Sequence, residues 1–204
     1  MGSMNLELEG EHKKGFPNRF EYYDKWLLDL GVEDPVARAI MANRYCDLEI
    51  QADHDNLTGL YNERGFDKYV KSSTNIVYLL YIDIDDFGPI NKNWGHQAGD
   101  DLLKFVSKAL ENAIEGFGVA GRLHGDEFAL AVTTKDPQII EMIKTKCQEP
   151  LDKYPPPITL SMAGSAWDGK ENLAYVKERA DLKMLNNKED RKRQQQNEQA
   201  KYGY

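Results

Sequence analysis

Apolar residues along this 204-residue chain recur with two periods, and the alternation between them outlines the elements. Phe20, Tyr23, Leu27 and Leu30 repeat at helical spacing until Gly31 ends the run. Asp34-Pro35 reads as an N-cap followed by a first-turn proline, and Val36, Ile40, Met41, Tyr45 and Leu48 form the stripe of a second helix. That stripe is expected to pack on its own domain or the neighbouring helix, with a second copy of the chain as the alternative. Asn62 to Val70 reads as helix, and Ile76 to Ile84 is a continuous, β-branched apolar run suited to a central strand. Pro89 to Ile114 is expected to form one long amphipathic helix that buries Leu102, Leu103, Val106 and Leu110. Gly118 to Gly125 and Asp126 to Thr133 read as the arms of a hairpin turning around His124-Gly125. Asp136-Pro137 caps a helix carrying Ile139, Ile140 and Ile143; Ile158 to Ala166 is a strand, and Asn172 to about Arg191 is the last helix. Strands joined by both a hairpin and helical crossovers predict an α/β domain, a mixed sheet with helices on its faces. There is no internal repeat.

Composition narrows the class. With 26 Lys+Arg against 34 Asp+Glu the net charge is −8, which argues against a nucleic-acid coat or a basic membrane-surface protein. A hydrophobic content of 41% is enough for one core, and the length suits one domain with a short accessory segment. Cys46 and Cys147 lie far apart without CxxC spacing, so neither a disulfide scaffold nor a cysteine zinc site is expected. No apolar run approaches the roughly 18 residues of a membrane span and no signal peptide opens the chain. A cytoplasmic protein is the expectation. Met1-Gly-Ser-Met4 reads as an appended leader before a natural start at Met4, and the first 18 residues as a loose arm. The Gln-rich run from Arg193 lacks an apolar stripe and is expected to fray. The expected boundaries are an N-terminal arm and helical segment over 1–52, one domain over 53–193 and a polar tail over 194–204.

Two acidic clusters carry the chemistry. Asp83-Ile84-Asp85-Asp86 ends the most apolar strand, where crowded carboxylates are costly unless a cation neutralises them. Gly125-Asp126-Glu127 sits at the tip of the hairpin. If the hairpin lies beside the first strand, Asp83 and Asp126 converge, and hard oxygen ligands of that kind select Mg²⁺ or Mn²⁺ with positions left for phosphate oxygens. Phe87-Gly88-Pro89 opens a helix directly afterwards, leaving backbone N–H groups and the positive end of a helix dipole for an anion such as a triphosphate.

These residues then match a family. Asp55-x-Leu57-Thr58-Gly59-Leu60-x-Asn62, Asp83-x-Asp85-x-Phe87, Asn91, Gly95-His96-x-x-Gly99-Asp100 and Arg122-x-His124-Gly125-Asp126-Glu127-Phe128 closely resemble the GGDEF diguanylate cyclase domain. Ala180-Asp181 and Lys188 are similar to its last helix, so the resemblance spans about residues 53–193. It implies a palm-like α+β fold with a mainly antiparallel sheet and an N-terminal helical extension. It also implies a homodimer in which each chain holds one GTP and the pair forms cyclic di-GMP and pyrophosphate, with a possible upstream regulatory partner. By family position Asp83, Asp126 and Glu127 are catalytic, with Asp83, Ile84 and Asp126 as the Mg²⁺ or Mn²⁺ set. Asn91 and Asp100 are implied at the guanine edge, where a carboxylate accepts from N1–H and N2–H₂. Phe87, Gly88 and Gly125 border the nucleotide, and Lys188 is implied at the terminal phosphates, with Arg191 or Lys192 as its helper. His96 reads as a hydrogen-bonded structural histidine.

The chain departs from the family pattern at four places. His124 replaces the first glycine of the signature, Gly88 a usual lysine, Glu63 a common arginine, and Ser161-Met-Ala163 the usual Ser-x-Gly. No metal ligand is lost, so an active enzyme is expected; a degenerate domain that binds GTP or a cyclic dinucleotide without turnover is the alternative. The family's inhibitory Arg-x-x-Asp is absent from Glu115-Gly116-Phe117-Gly118.

Overall fold

The computed structural model describes residues 19–202, with side chains described through residue 188. In chain order the elements are α1 (Arg19–Asp29), α2 (Pro35–Asp53), α3 (Glu63–Ser72), β1 (Tyr78–Ile84), α4 (Phe87–Trp94) and α5 (His96–Ile114). The chain continues through β2 (Gly118–His124), β3 (Glu127–Val132), α6 (Pro137–Asp152), β4 (Leu160–Ala166) and α7 (Leu173–Tyr202). Local chemistry sets the helix starts. Asp34 accepts from the N–H groups of Val36 and Ala37, Asn62 from that of Gly65, and Asp136 from that of Gln138.

The four strands lie in the order β2-β3-β1-β4, and every strand pairing is antiparallel. Parallel pairing is confined, among the described residues, to the isolated bridge between Tyr61 and Gly121, so the expected mixed sheet is antiparallel in all its ladders. One face carries Leu80, Ile82, Phe128 and Leu130 against Leu102, Val106 and Leu110 of α5 and Ile143 of α6. The other carries Leu79, Tyr81, Ala129 and Ala131 against Phe66 and Val70 of α3 and Val176 and Ala180 of α7. β1 is therefore covered on both faces, which is why its sequence is a continuous apolar run instead of an alternating one.

Three expectations are corrected. The single helix over Pro89 to Ile114 is two helices that begin at Phe87 and break at Gly95, whose φ of +85° suits glycine and ends α4. The last helix does not stop near Arg191: α7 continues to Tyr202. Lys, Arg, Gln, Glu and Ala are strong helix formers, so that run needs no apolar stripe to stay helical. The α2 stripe is divided. Tyr45 stacks on Tyr23 with ring centroids 5.4 Å apart, whereas Val36 and Ile40 are 65% and 66% exposed.

The helical pair α1–α2 is tied to the sheet through α3. Asp53, with its side chain only 3% exposed, accepts from Arg64 Nη2 at 2.7 Å and Lys68 Nζ at 2.9 Å. Lys68 also donates to Glu49 at 2.7 Å, and Tyr23 of α1 donates to the same carboxylate at 3.2 Å. Gly65 permits the approach, since a Cβ there would sit 2.0 Å from the Asp53 carbonyl oxygen.

Candidate functional site

The two acidic clusters meet at the end of β1. Asp83 is the register partner of Glu127 on β3 and of Ser161 on β4, and the Ile84 N–H donates to the Asp126 carbonyl at 3.3 Å. Strand alternation puts Asp83 on the side of Tyr81, the side covered by α3 and α7. Burial, with Asp83 and Glu127 close by, holds the Asp126 carboxyl above its ordinary range. The Asp181 carboxyl on α7 is also raised, by partial burial and the charges of Glu127 and Asp83, against the opposing charge of Lys177.

Two lysines of α7 answer this crowding. Lys188 Nζ lies 2.5 Å from Asp83 Oδ1 and 3.5 Å from Asp85 Oδ1, and these carboxylates raise its pKa although burial works against its charge. Lys177 Nζ lies 3.2 Å from Glu127 Oε2. Asp85 is otherwise engaged across the sheet edge, accepting from Ser161 Oγ at 2.7 Å and Thr159 Oγ1 at 2.9 Å. An open cleft of about 620 Å³ between α6 and β4 adjoins Thr159, but none of the sequence-predicted site residues lines it.

The turn after β1 brings the second group into place. Asp86 sits in the left-handed region at φ +58°, and its side chain makes no capping hydrogen bond to α4, whose first N–H groups lack intrahelical acceptors as at any helix start. Asn91 packs its amide against α5: a Cβ on Gly99 would fall 2.0 Å from Asn91 Oδ1 and 3.2 Å from Phe87 Cζ. Asp100, the next residue, is half-buried, and Asn91 can pack this closely on α5 because Gly99 has no side chain. His96, expected to be hydrogen-bonded, is exposed at the first position of α5 and makes no side-chain hydrogen bond among the described residues.

The hairpin tip is clamped from below. Arg122 donates through Nη1 to both oxygens of Asp55 at 3.0 and 3.2 Å, and through Nε to the Gly125 carbonyl at 2.9 Å. Asp55 is pre-set by the Thr58 N–H and hydroxyl at 2.9 and 2.7 Å. Burial opposes its charge, yet the Thr58 and Arg122 contacts outweigh that and hold its pKa below the ordinary value. Gly125 has φ +43°, and a Cβ there would meet nothing within 4 Å, so glycine is required by the backbone and the space above it is open. Two of the departures from the family pattern touch: His124 Nε2 lies 3.2 Å from Glu63 Oε1.

Sequence reasoning singled out Asp83, Asp126 and Glu127, which the structure places on adjoining positions of β1 and the hairpin, but not Lys177, the spacer role of Gly99, or the Asp55–Arg122 clamp. The Asp55 and Gly99 motifs were visible; Lys177 carried no signal, because its pairing depends on how α7 crosses the sheet. Lys192 lies on α7 with its side chain outside the described residues. Among the described residues no three His, Cys, Asp or Glu side chains gather closely enough to hold an ion by themselves. Two carboxylates that share a lysine-neutralised spot suit Mg²⁺, which is commonly held by one or two carboxylates with water and substrate phosphates supplying the rest.

Comparison with known proteins bears on the same residues. The family model described as "Diguanylate cyclase, GGDEF domain" matches residues 52–194. The probable diguanylate cyclase DgcC of Escherichia coli K12 is 33% identical over 93 residues, covering 42% of this chain and 25% of that protein. The chain thus spans about a quarter of the length of the first curated relatives it matches. Among solved structures, the coiled coil and GGDEF domain of DgcB from Caulobacter crescentus, in complex with c-di-GMP, aligns with a TM-score of 0.67 at 22% identity, covering 80% of this chain and 95% of that one. The diguanylate cyclase SiaD of Pseudomonas aeruginosa, in complex with its activator SiaC, aligns with a TM-score of 0.63 at 21% identity, covering 92% of this chain and 74% of that one.

Proposed function

This chain belongs to the GGDEF diguanylate cyclase domain family, and on that premise we propose that it condenses two GTP into cyclic di-GMP with release of two pyrophosphates. The observation that carries the reading is the convergence of Asp83 and Asp126 under Lys188, beside the start of a helix that Asp86 does not cap. In this reading the 3′-hydroxyl of each GTP attacks the α-phosphate of the other, and the bond to pyrophosphate breaks. Asp83, Asp126 and the Ile84 backbone would hold Mg²⁺ or Mn²⁺, with Glu127 beside them. The ion, when bound, neutralises phosphate charge and makes the hydroxyl easier to deprotonate. Lys188, with Lys192 one turn on, meets the terminal phosphates, and the Phe87–Gly88 turn receives the others. Asp100 and Asn91 read guanine, and Gly125 leaves the tip open.

Turnover of this kind needs two chains, and α2 offers a surface for the second. Val36, Ile40, Asn43, Asp47 and Ile50 recur at alternating spacings of four and three, and all five are exposed. A seam with that average period of 3.5 is the pattern of a paired helix. Its ends are apolar, at Val36 and Ile40 and again at Ile50, while Asn43 and Asp47 make its middle polar. Polar residues inside such a seam fix its register at a cost in stability, so the pairing in this reading is specific and reversible. Residues 53–193 are the catalytic unit, 1–52 the dimerising and regulated extension, and 194–204 a tail. That SiaD is seen in complex with an activator supports an upstream regulatory partner for this chain as well.

The decisive experiment is incubation with Mg²⁺ and GTP followed by chromatographic identification of products. Cyclic di-GMP is expected from the wild type, and Asp126→Asn, which keeps the size but loses the ligand charge, is expected to lower the rate by about a hundredfold or more. A second reading, nucleotide binding without turnover, is favoured by one observation: the His124–Glu63 pair puts two bulky side chains at the hairpin tip. GTP binding with no product from any preparation would select it.

A further inference from the structure

Two carboxylates that face each other across the β1–β3 ladder lean toward different cations on one helix. Asp83 and Glu127 are register partners, and the side chains of such a pair start about 5 Å apart. Yet Asp83 contacts Lys188, whereas Glu127 contacts Lys177. These lysines leave α7 eleven residues apart (188 − 177), which is three turns, or about 16 Å along the axis. Asp181 lies between them, one turn beyond Lys177, and feels the charges of Lys177, Glu127 and Asp83. Lys177 is mostly covered, with its side chain 26% exposed, while Glu127 at 44% has room to move.

We propose that Lys177 is a positioning residue that holds the Glu127 carboxylate apart from the Asp83–Asp126 pair, so that the ion site opens with two carboxylates instead of three. The proposal rests on the reading of Asp83 and Asp126 as the metal pair. It accounts for the absence, among the described residues, of any three-acid cluster, although Asp83, Asp126 and Glu127 occupy adjoining backbone positions. It also gives α7 a function beyond covering the sheet. One helix delivers a cation to each of the two opposed acids, and the spacing of the two lysines keeps those acids separated.

The test measures Mn²⁺ binding to the full chain without nucleotide, by electron paramagnetic resonance of the free ion, in wild type, Lys177→Met, Lys177→Arg and Lys177→Met/Glu127→Gln. Lys177→Met keeps the apolar stem and frees Glu127, so Mn²⁺ should bind about tenfold more tightly, the scale on which groups around a metal's ligands act. Lys177→Arg should match the wild type, and the double variant should return to wild-type affinity because the third carboxylate is gone. In turnover, Lys177→Met should lower the Mn²⁺ concentration needed for half-maximal rate, a readout that mere loss of stability does not move in that direction.

Equal affinity in wild type and Lys177→Met overturns the proposal. So does a gain that persists in the double variant, since it would then not come from Glu127, and so does an equal gain in Lys183→Met, which removes one cation from α7 without freeing Glu127 and would reveal a general charge effect. Should Lys177→Met fail to fold, Glu127→Gln alone decides: a carboxylate already withheld can be removed without changing nucleotide-free affinity, and a large loss overturns the proposal. Failure of the metal reading itself looks different, with Asp126→Asn binding Mn²⁺ as the wild type does, and the proposal then falls with it.

Discussion

Gly99 shows how a residue without a side chain can set the place of a neighbour, here Asn91, which the proposed function puts at the guanine edge. Its missing Cβ would lie 2.0 Å from Asn91 Oδ1, and Asn91 is too short to yield by swinging a distant end aside. Gly99→Ala is therefore expected to displace the Asn91 amide while leaving α5 helical, since alanine is the better helix former. Losing one buried hydrogen bond to guanine should raise the GTP KM about tenfold with little change in melting temperature. Steady-state kinetics beside a thermal melt checks this, and an unchanged KM would remove Asn91 from the site. The Asp55–Arg122 clamp works by the same logic at the hairpin. Arg122 converts the fixed position of Asp55 into a fixed position for the Gly125 carbonyl.

Among the elements, the joint between α2 and α3 has the most exacting electrostatics. Asp53 is buried, and burial alone would raise its pKa, but Lys68 and Arg64 outweigh that and hold it below the ordinary carboxyl value. The sign follows from linkage. A depressed folded-state value contributes stability above the unfolded pKa, and that contribution disappears as the pH falls through the folded value. Acid should therefore loosen this joint below about pH 4, where unfolded aspartates begin to protonate. Asp53→Asn should cost about 1–3 kcal/mol at neutral pH, toward the lower end because Arg64 and Lys68 are 67% and 48% exposed and regain water. It should also flatten the acid limb of the stability profile. Urea unfolding across pH 3 to 7 measures both effects.

At the scale of the whole molecule, two surfaces remain. The α2 seam presents Val36 and Ile40 to solvent, and Ile40→Glu is expected to shift a dimer to monomer in sedimentation while leaving the circular dichroism of the domain intact. Turnover should then recover only at high protein concentration. The second surface is the turn from α5 into β2. Glu115 stands where an anionic product would need an arginine fork, and Gly118, whose Cβ would fall 1.8 Å from the Ala131 carbonyl oxygen, has no room for a side chain. Titration calorimetry with cyclic di-GMP, with a non-hydrolysable GTP analogue filling the active site, should therefore show no tight product site. Submicromolar binding under those conditions would refute this expectation.

What the sequence alone determined was local or periodic. The caps at Asp34 and Asp136, the apolar run of β1 and the hairpin at His124-Gly125 each depend on residues a few positions apart. The family motifs likewise marked Asp83, Asp126, Asn91 and Asp100 before any of them had a neighbour. The tertiary structure decided the break at Gly95, the pairing of Asn91 with Gly99, the His124–Glu63 contact and the attachment of Glu127 to Lys177. A backbone turn and the crossing of a helix over a sheet set distances between residues far apart in the chain. No period or motif encodes such distances, because they follow from how the faces of the elements pack.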